Sequence, residues 1–116
     1  ITFYLGANPA TGVRVQGFFK SDTDVIPVYL PGEIILIKAE AYARLNQLNE
    51  AVAELNKVLT KNNDIYMVNA NLPAYSGELT QAAILQEIYK NRAIELYMTG
   101  LKLEDSRRFG RPGPND

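Results

Sequence analysis

The chain has 116 residues, a formal net charge of −1, and neither cysteine nor histidine. This length fits one domain at most, and no apolar run approaches the roughly 20 residues of a membrane-spanning helix. Disulfides, thiolate chemistry and the commonest metal ligands are excluded, and no basic block offers a footprint for nucleic acid, so we expect no metal, no cofactor and no nucleic-acid partner.

Residues 1–30 are rich in β-branched and aromatic residues and are interrupted by turn formers. The runs "ITFYL" and "VRVQGFF" flank "GANPATG", a pattern typical of two short strands around a loop. Gly17 and the broken alternation equally fit an irregular extended segment lying across a helical core. The two interpretations stay open, and we expect an extended or short-β N-terminal segment.

Residues 31–61 have the pattern of two helices. Pro31 suits the first turn of a helix, and "EIILIKAEAYARL" is apolar over most of its circumference, as in a helix covered on several sides. Within it, Glu40 and Arg44 are four residues apart and are predicted to pair. Asn46 suits the end of this helix and Asn49 the N-cap of the next.

The second helix, "EAVAELNKVLTK", has one apolar stripe, and Glu50, Glu54, Lys57 and Lys61 are predicted to form its solvated face. The short link makes the pair an antiparallel hairpin. Its spacing of small residues resembles a tetratricopeptide unit. The predicted fold is therefore mainly α, with a tetratricopeptide-like hairpin and a further helix.

Residues 62–79 form a predicted loop that is longer than the usual four to six residues. The asparagines and tyrosines of "NNDIYMVNANLPAYSG" suit hydrogen bonding and stacking, so Tyr66 and Tyr75 are ligand-binding candidates from composition alone. The alternative is a surface connection pinned by Ile65, Tyr66 and Leu72, and we favour it.

Residues 80–116 begin with a predicted N-cap at Thr80, followed by a last helix and a tail. On a helical projection, Arg92 and Glu95 fall inside the apolar arc, whereas Gln86, Lys90 and Asn91 fall on the opposite face. Buried charges must be paired, so we expect Arg92 and Glu95 to be partly buried and to contact each other.

Two carboxylates can perform acid–base hydrolysis of glycosides, and Glu95 with Asp105 or Glu87 would be the pair. We reject this catalytic alternative, because an arginine neighbour keeps a carboxylate ionised and makes it a poor general acid. Asp105 and Arg108 are again three residues apart. The predicted role of these charges is structural, and the network comprises Glu40, Arg44, Arg92, Glu95, Asp105 and Arg108.

The ordered run over residues 33–110 resembles the SusD/RagB family of surface glycan-binding lipoproteins of Bacteroidetes. The family's usual elements read "LIxAEA", "AxxxLN", "ERxxEL" and "EGxRxxDLxR". Matches in this sequence are Leu36, Ile37, Ala39, Glu40 and Ala41, then Ala51, Leu55 and Asn56, and finally Arg92, Glu95, Leu96, Gly100, Asp105 and Arg108. Departures from the usual residues are Asn46, Asn91, Thr99 and Lys102.

This resemblance implies a non-catalytic outer-membrane lipoprotein, exposed at the cell surface and lipid-anchored in its full-length form. It would bind oligosaccharides or related nutrients in polysaccharide utilisation and pass them to a SusC-like TonB-dependent transporter. The matched motifs belong to the family's scaffold, so no ligand residue is carried over from them.

Family members are several times longer than this chain, so we expect residues 1–116 to be a single domain from the C-terminal half of a longer protein. Such a piece would expose apolar surface and self-associate. The rival hypothesis is a tetratricopeptide-like adaptor that binds another protein. An enzyme ranks third.

Overall fold

The computed structural model describes residues 2–5, 13–16 and 21–110. Strands β1 (Thr2–Leu5) and β2 (Val13–Gln16) pair antiparallel, with Thr2 opposite Gln16. Four helices follow, α1 (Pro31–Arg44), α2 (Leu48–Leu59), α3 (Gln81–Glu95) and α4 (Lys102–Arg108). The mainly α prediction is confirmed. The predictions for Gly17, for the turn "GANPATG" and for the tail after residue 110 fall outside the described residues.

Helices α1 and α2 form the predicted hairpin. Pro31 occupies the first turn of α1, and Asn46, at φ 59°, provides the left-handed residue that ends the helix. The backbone N–H of Gln47 then donates to the Tyr42 carbonyl at 2.8 Å and closes the link. The predicted cap at Asn49 is wrong, because α2 begins one residue earlier, at Leu48, with Gln47 in the cap position.

The core lies where α1, α2 and α3 pack together. Three alanines, Ala39, Ala43 and Ala51, are fully buried at the crossing of α1 and α2, where small side chains let two backbones approach closely. Larger apolar side chains fill the space around them. The largest fully buried ones are Leu36, Leu55, Val58, Ile84 and Ile88.

The last part of the chain forms two helices instead of one helix and a tail. Thr80 caps α3 as predicted, since its hydroxyl accepts the N–H of Ala83 at 3.3 Å. Met98 and Gly100, at φ 67° and 86°, then turn the chain into α4. No helix in the described part of the chain is long and apolar enough to cross a membrane.

Candidate functional site

The loop after α2 is held in place by backbone and side-chain hydrogen bonds. Asp64 Oδ2 accepts the N–H groups of Tyr66 at 2.8 Å and Val68 at 3.3 Å, which folds the loop around one carboxylate. The Asn71 N–H donates to the Lys61 carbonyl at 2.9 Å. The loop is therefore a fixed wall beside the end of α2.

A buried ion cluster lies at the base of this loop. Lys61 Nζ donates to Glu95 Oε1 and lies 3.4 Å from Asp64 Oδ1. Glu95 is only 2% exposed. The predicted contact between Arg92 and Glu95 is thus wrong, because a lysine from the end of α2 reaches the carboxylate instead. Lys61 was predicted to be solvated, but its side chain is mostly buried in this cluster.

Glu95 also lies against the start of α1, where Gly32 leaves room for its carboxylate. Burial raises the pKa of Glu95, although the hydrogen bond and the charge of Lys61 oppose the rise. The prediction that an arginine neighbour keeps Glu95 ionised is therefore wrong, because its partner is Lys61. Its proposed co-catalyst Asp105 belongs to a separate ion cluster on two arginines.

A cleft of about 310 Å³ opens next to this cluster, between the end of α2, the loop and the C-terminal end of α3. We call it the α3 cleft. Its walls include the apolar side chains of Val58, Val68 and Ile94. Polar groups are contributed by Asn69, Asn91, Glu95 and Tyr97. A mostly apolar concavity with a few convergent polar groups is typical of a small-molecule site.

The sequence analysis predicted the wrong environment for one of these polar residues and did not identify another as a candidate. Asn91 was predicted to face solvent, but it is 2% exposed, and its side-chain NH₂ donates to the Glu87 carbonyl oxygen and carboxylate at 2.9 Å each. Tyr97 is 45% exposed at the cleft and was not singled out. Its only sequence signal was its residue type.

The second ion cluster joins α1, α3 and α4. Arg92 Nε donates to Asp105 Oδ2 at 2.8 Å, and Arg108 Nη2 donates to Asp105 Oδ1 at 2.9 Å. Arg108 Nη1 also donates to Glu40 Oε1, which accepts a further bond from Arg44 Nε at 2.8 Å. Five of the six charges predicted to form one network lie here. Glu95 is the exception.

The electrostatics of the second cluster favour ionised carboxylates. Burial raises the pKa of Glu40, but the hydrogen bonds and charges of Arg108 and Arg44 outweigh burial, and the net pKa lies below the usual value. Phe109 lies between the two arginines, with its ring centroid 5.4 Å from Arg44 Cζ and 5.0 Å from Arg108 Cζ. This cluster therefore fastens the end of α4 to α1.

The two tyrosines suggested by composition do not line the α3 cleft. Tyr75 is partly buried against the core, and its hydroxyl donates to the Glu78 carbonyl at 2.9 Å. Tyr66 is partly buried within the loop, next to its backbone bond with Asp64. In the part of the chain that the structure describes, no group of acidic side chains could hold a metal ion.

Comparison with protein families gives one match. A model described as the SusD family matches residues 11–113. Searches of curated proteins and of solved structures gave no significant match. The family match covers both ion clusters and the α3 cleft.

Proposed function

The chain belongs to the SusD family, and from this membership we propose that it forms part of a surface lipoprotein that binds oligosaccharides without catalysis. Members of this family are carbohydrate- or nutrient-binding proteins of the outer membrane. We further propose that the protein acts with a SusC-like TonB-dependent transporter, to which the captured oligosaccharide passes. Residues 1–116 would be a single domain of this lipoprotein.

The observation that carries the proposal is the family match over residues 11–113. The packing is consistent with it, because the residues that carry the resemblance are those that hold the helices together. Ala39 and Leu55 are fully buried in the core, and Arg92 and Asp105 form a buried ion pair. Packing requires these residue types at these positions. Their occurrence in the same order as in the family's motifs therefore supports a scaffold shared with the family.

A non-catalytic role is supported by how the acidic groups are bonded. Asp105 accepts bonds from two arginines, and Asp64 accepts two backbone N–H groups as well as pairing with Lys61. Neither carboxylate is placed to exchange a proton with a ligand. Glu95 has a raised pKa, but Asp64, the carboxylate that shares Lys61 with it, is already bonded to two backbone N–H groups.

The test is affinity gel electrophoresis of the full product of the gene, and of the 116-residue chain alone, in native gels containing starch, xylan, levan or galactomannan. We expect at least one polysaccharide to slow the full product, while serum albumin, the control, migrates unchanged. The polysaccharide should also remain intact, with no new reducing ends after incubation.

Unchanged migration of the full product in every gel would contradict glycan binding. Release of reducing sugar would contradict the non-catalytic assignment. The proteins that co-purify with the full product from membranes should include a TonB-dependent transporter. Retention of soluble peptides in place of glycans would favour the adaptor alternative.

A further inference from the structure

We propose that the α3 cleft binds one neutral sugar ring and that Tyr97 and Asn69 orient it. This inference rests on the proposed function, because that function supplies carbohydrate as the ligand class. It goes beyond the function by assigning a site. The loop wall, with Val68 and Asn69, and the end of α3, with Ile94, would face opposite sides of the ring.

The size of the α3 cleft favours a single ring. Its volume of about 310 Å³ is near the lower end of the roughly 300–1,000 Å³ found for small-molecule sites. A longer oligosaccharide would have to extend from the cleft into solvent. The cleft therefore fits the terminal unit of a chain, or a free monosaccharide.

The lining of the α3 cleft includes acceptor groups of the kind that bind hydroxyl groups. Asn91 uses its NH₂ group on Glu87, and Glu95 accepts from Lys61 through Oε1. Sugar hydroxyls are hydrogen-bond donors, and the amide oxygen of Asn91 and the carboxylate of Glu95 are acceptors in the cleft lining.

The remaining lining residues suit the rest of a pyranose. The C–H face of a sugar ring is apolar and fits against Val68, Ile94 and the half-exposed ring of Tyr97. Asn69 is exposed at the rim, where its amide can both donate and accept. This combination selects against a purely apolar ligand and offers no cation to bind an anion, since Lys61 is already bonded to Glu95 and Asp64.

Backbone strain is concentrated beside the α3 cleft. Among the described residues, four that are not glycine have positive φ, and three of them adjoin lining residues: Met67 (60°) precedes Val68, Asn71 (48°) follows Ala70, and Met98 (67°) follows Tyr97. Each such residue costs on the order of 1 kcal/mol or more and persists where the surroundings impose it. Both walls are thus held in one shape before a ligand arrives.

The test uses the 116-residue chain in ¹H–¹⁵N correlation NMR titrations with glucose, galactose, mannose and N-acetylglucosamine, each added separately. Tyr97→Ala and Asn69→Ala are the variants, and Tyr29→Ala is the matched control, because Tyr29 is 61% exposed and does not line the cleft. Circular dichroism confirms that each variant is folded. We expect at least one sugar to shift the amides of residues 68–70 and 94–97.

If the site is correct, Tyr97→Ala should weaken binding of this sugar about tenfold, as truncation of an aromatic contact in a binding site commonly does. Asn69→Ala should weaken it by a smaller factor, and Tyr29→Ala should leave the affinity unchanged. Shifts confined to other residues, equal affinity in all variants, or no response to any sugar would overturn the site. If the site failed but the full product bound a polysaccharide, the proposed function would still stand. If the full product bound no polysaccharide, both the function and the site would fail.

Discussion

Gly32 is the position where one added methyl group most directly tests the buried contact between α1 and Glu95. An alanine Cβ at this position would lie 2.5 Å from Glu95 Cδ and 2.6 Å from Cγ, and closer still to Oε1. Ordinary contact begins at 3.4 Å, so the side chain would have to retreat by about 1 Å. Glu95 cannot swing into solvent, because its side chain is 3% exposed and is bonded to Lys61.

Two effects of opposite sign decide the stability of Gly32→Ala. Alanine favours a helix over glycine by up to about 1 kcal/mol. Overpacking a filled site costs about 1–3 kcal/mol, and loosening a hydrogen bond between charged groups costs about 1.5–3 kcal/mol more. The losses exceed the gain, and we expect the variant to lose about 2 kcal/mol of unfolding free energy.

Urea denaturation followed by circular dichroism measures this loss, and the melting temperature should fall by roughly 8–16 °C, at about 4–8 °C per kcal/mol for a chain of this size. The control is the same substitution in a Glu95→Ala background, where the obstructing side chain is absent. Gly32→Ala should then be neutral or stabilising. If Gly32→Ala were as stable as the wild type in the original background, the close packing of Glu95 on α1 would be refuted.

Three further predictions concern the ion clusters and the exposed apolar residues. Asp105→Ala leaves the buried Arg92 without its partner and should cost about 3–5 kcal/mol in urea denaturation; a loss below about 0.5 kcal/mol, the usual surface value, would show that the pair contributes little. Glu40 has a lowered pKa, so its contribution to stability is present above the usual value of 4.5 and is lost as the pH falls through the folded-state pKa. Glu95 has a raised pKa, so its effect has the opposite sign, and stability falls as the pH rises through the raised value. Glu40→Gln should therefore lose less unfolding free energy than the wild type when the pH is lowered. Glu95→Gln should lose less than the wild type when the pH is raised to neutrality. Variants whose unfolding free energy changes with pH as it does in the wild type would contradict both directions. Val28 is 97% exposed in an apolar stretch before α1, so the isolated chain should self-associate at high concentration and Val28→Ser should weaken this in light scattering; a wild-type chain that stays monomeric at every concentration would contradict it.

Much of the fold could be predicted because it depends on local pattern. Apolar periodicity identified α1, α2 and α3, and the helical projection placed Arg92 and Glu95 inside the apolar arc, where both are buried. The small residues at the helix crossing were also recognisable. These signals arise within one helix or one hairpin, so a single sequence contains them.

The partners of the buried charges could not be predicted in the same way. Arg92 and Glu95 are close on one helix, but Asp105 comes from α4 and Lys61 from the end of α2. Both contacts depend on how separate elements pack, which helical spacing does not report. Asn91 was misplaced for a different reason: it lies seven residues after the buried Ile84, so at 3.6 residues per turn the two side chains are only about 20° apart on the helical projection.

One wall of the α3 cleft, the loop after α2, has a recognisable turn signal in its sequence. An aspartate commonly folds a loop by accepting the N–H two residues later, and Asp64 does so with Tyr66. Recognising that turn would have indicated a fixed loop. It would not have indicated a cleft, since the opposite wall comes from residues about 30 positions further along the chain.

Glu95 links the scaffold to the proposed sugar site, and this determines which substitutions can test them. Its carboxylate contacts Gly32 in α1, pairs with Lys61 and lines the α3 cleft. Any change at Glu95 would therefore alter folding and ligand binding together, and a loss of binding in Glu95→Gln would not identify the site. Tyr97 and Asn69 line the same cleft from its exposed side. A loss of affinity in these variants with unchanged unfolding free energy would separate recognition of the sugar from the stability of the helices that surround it.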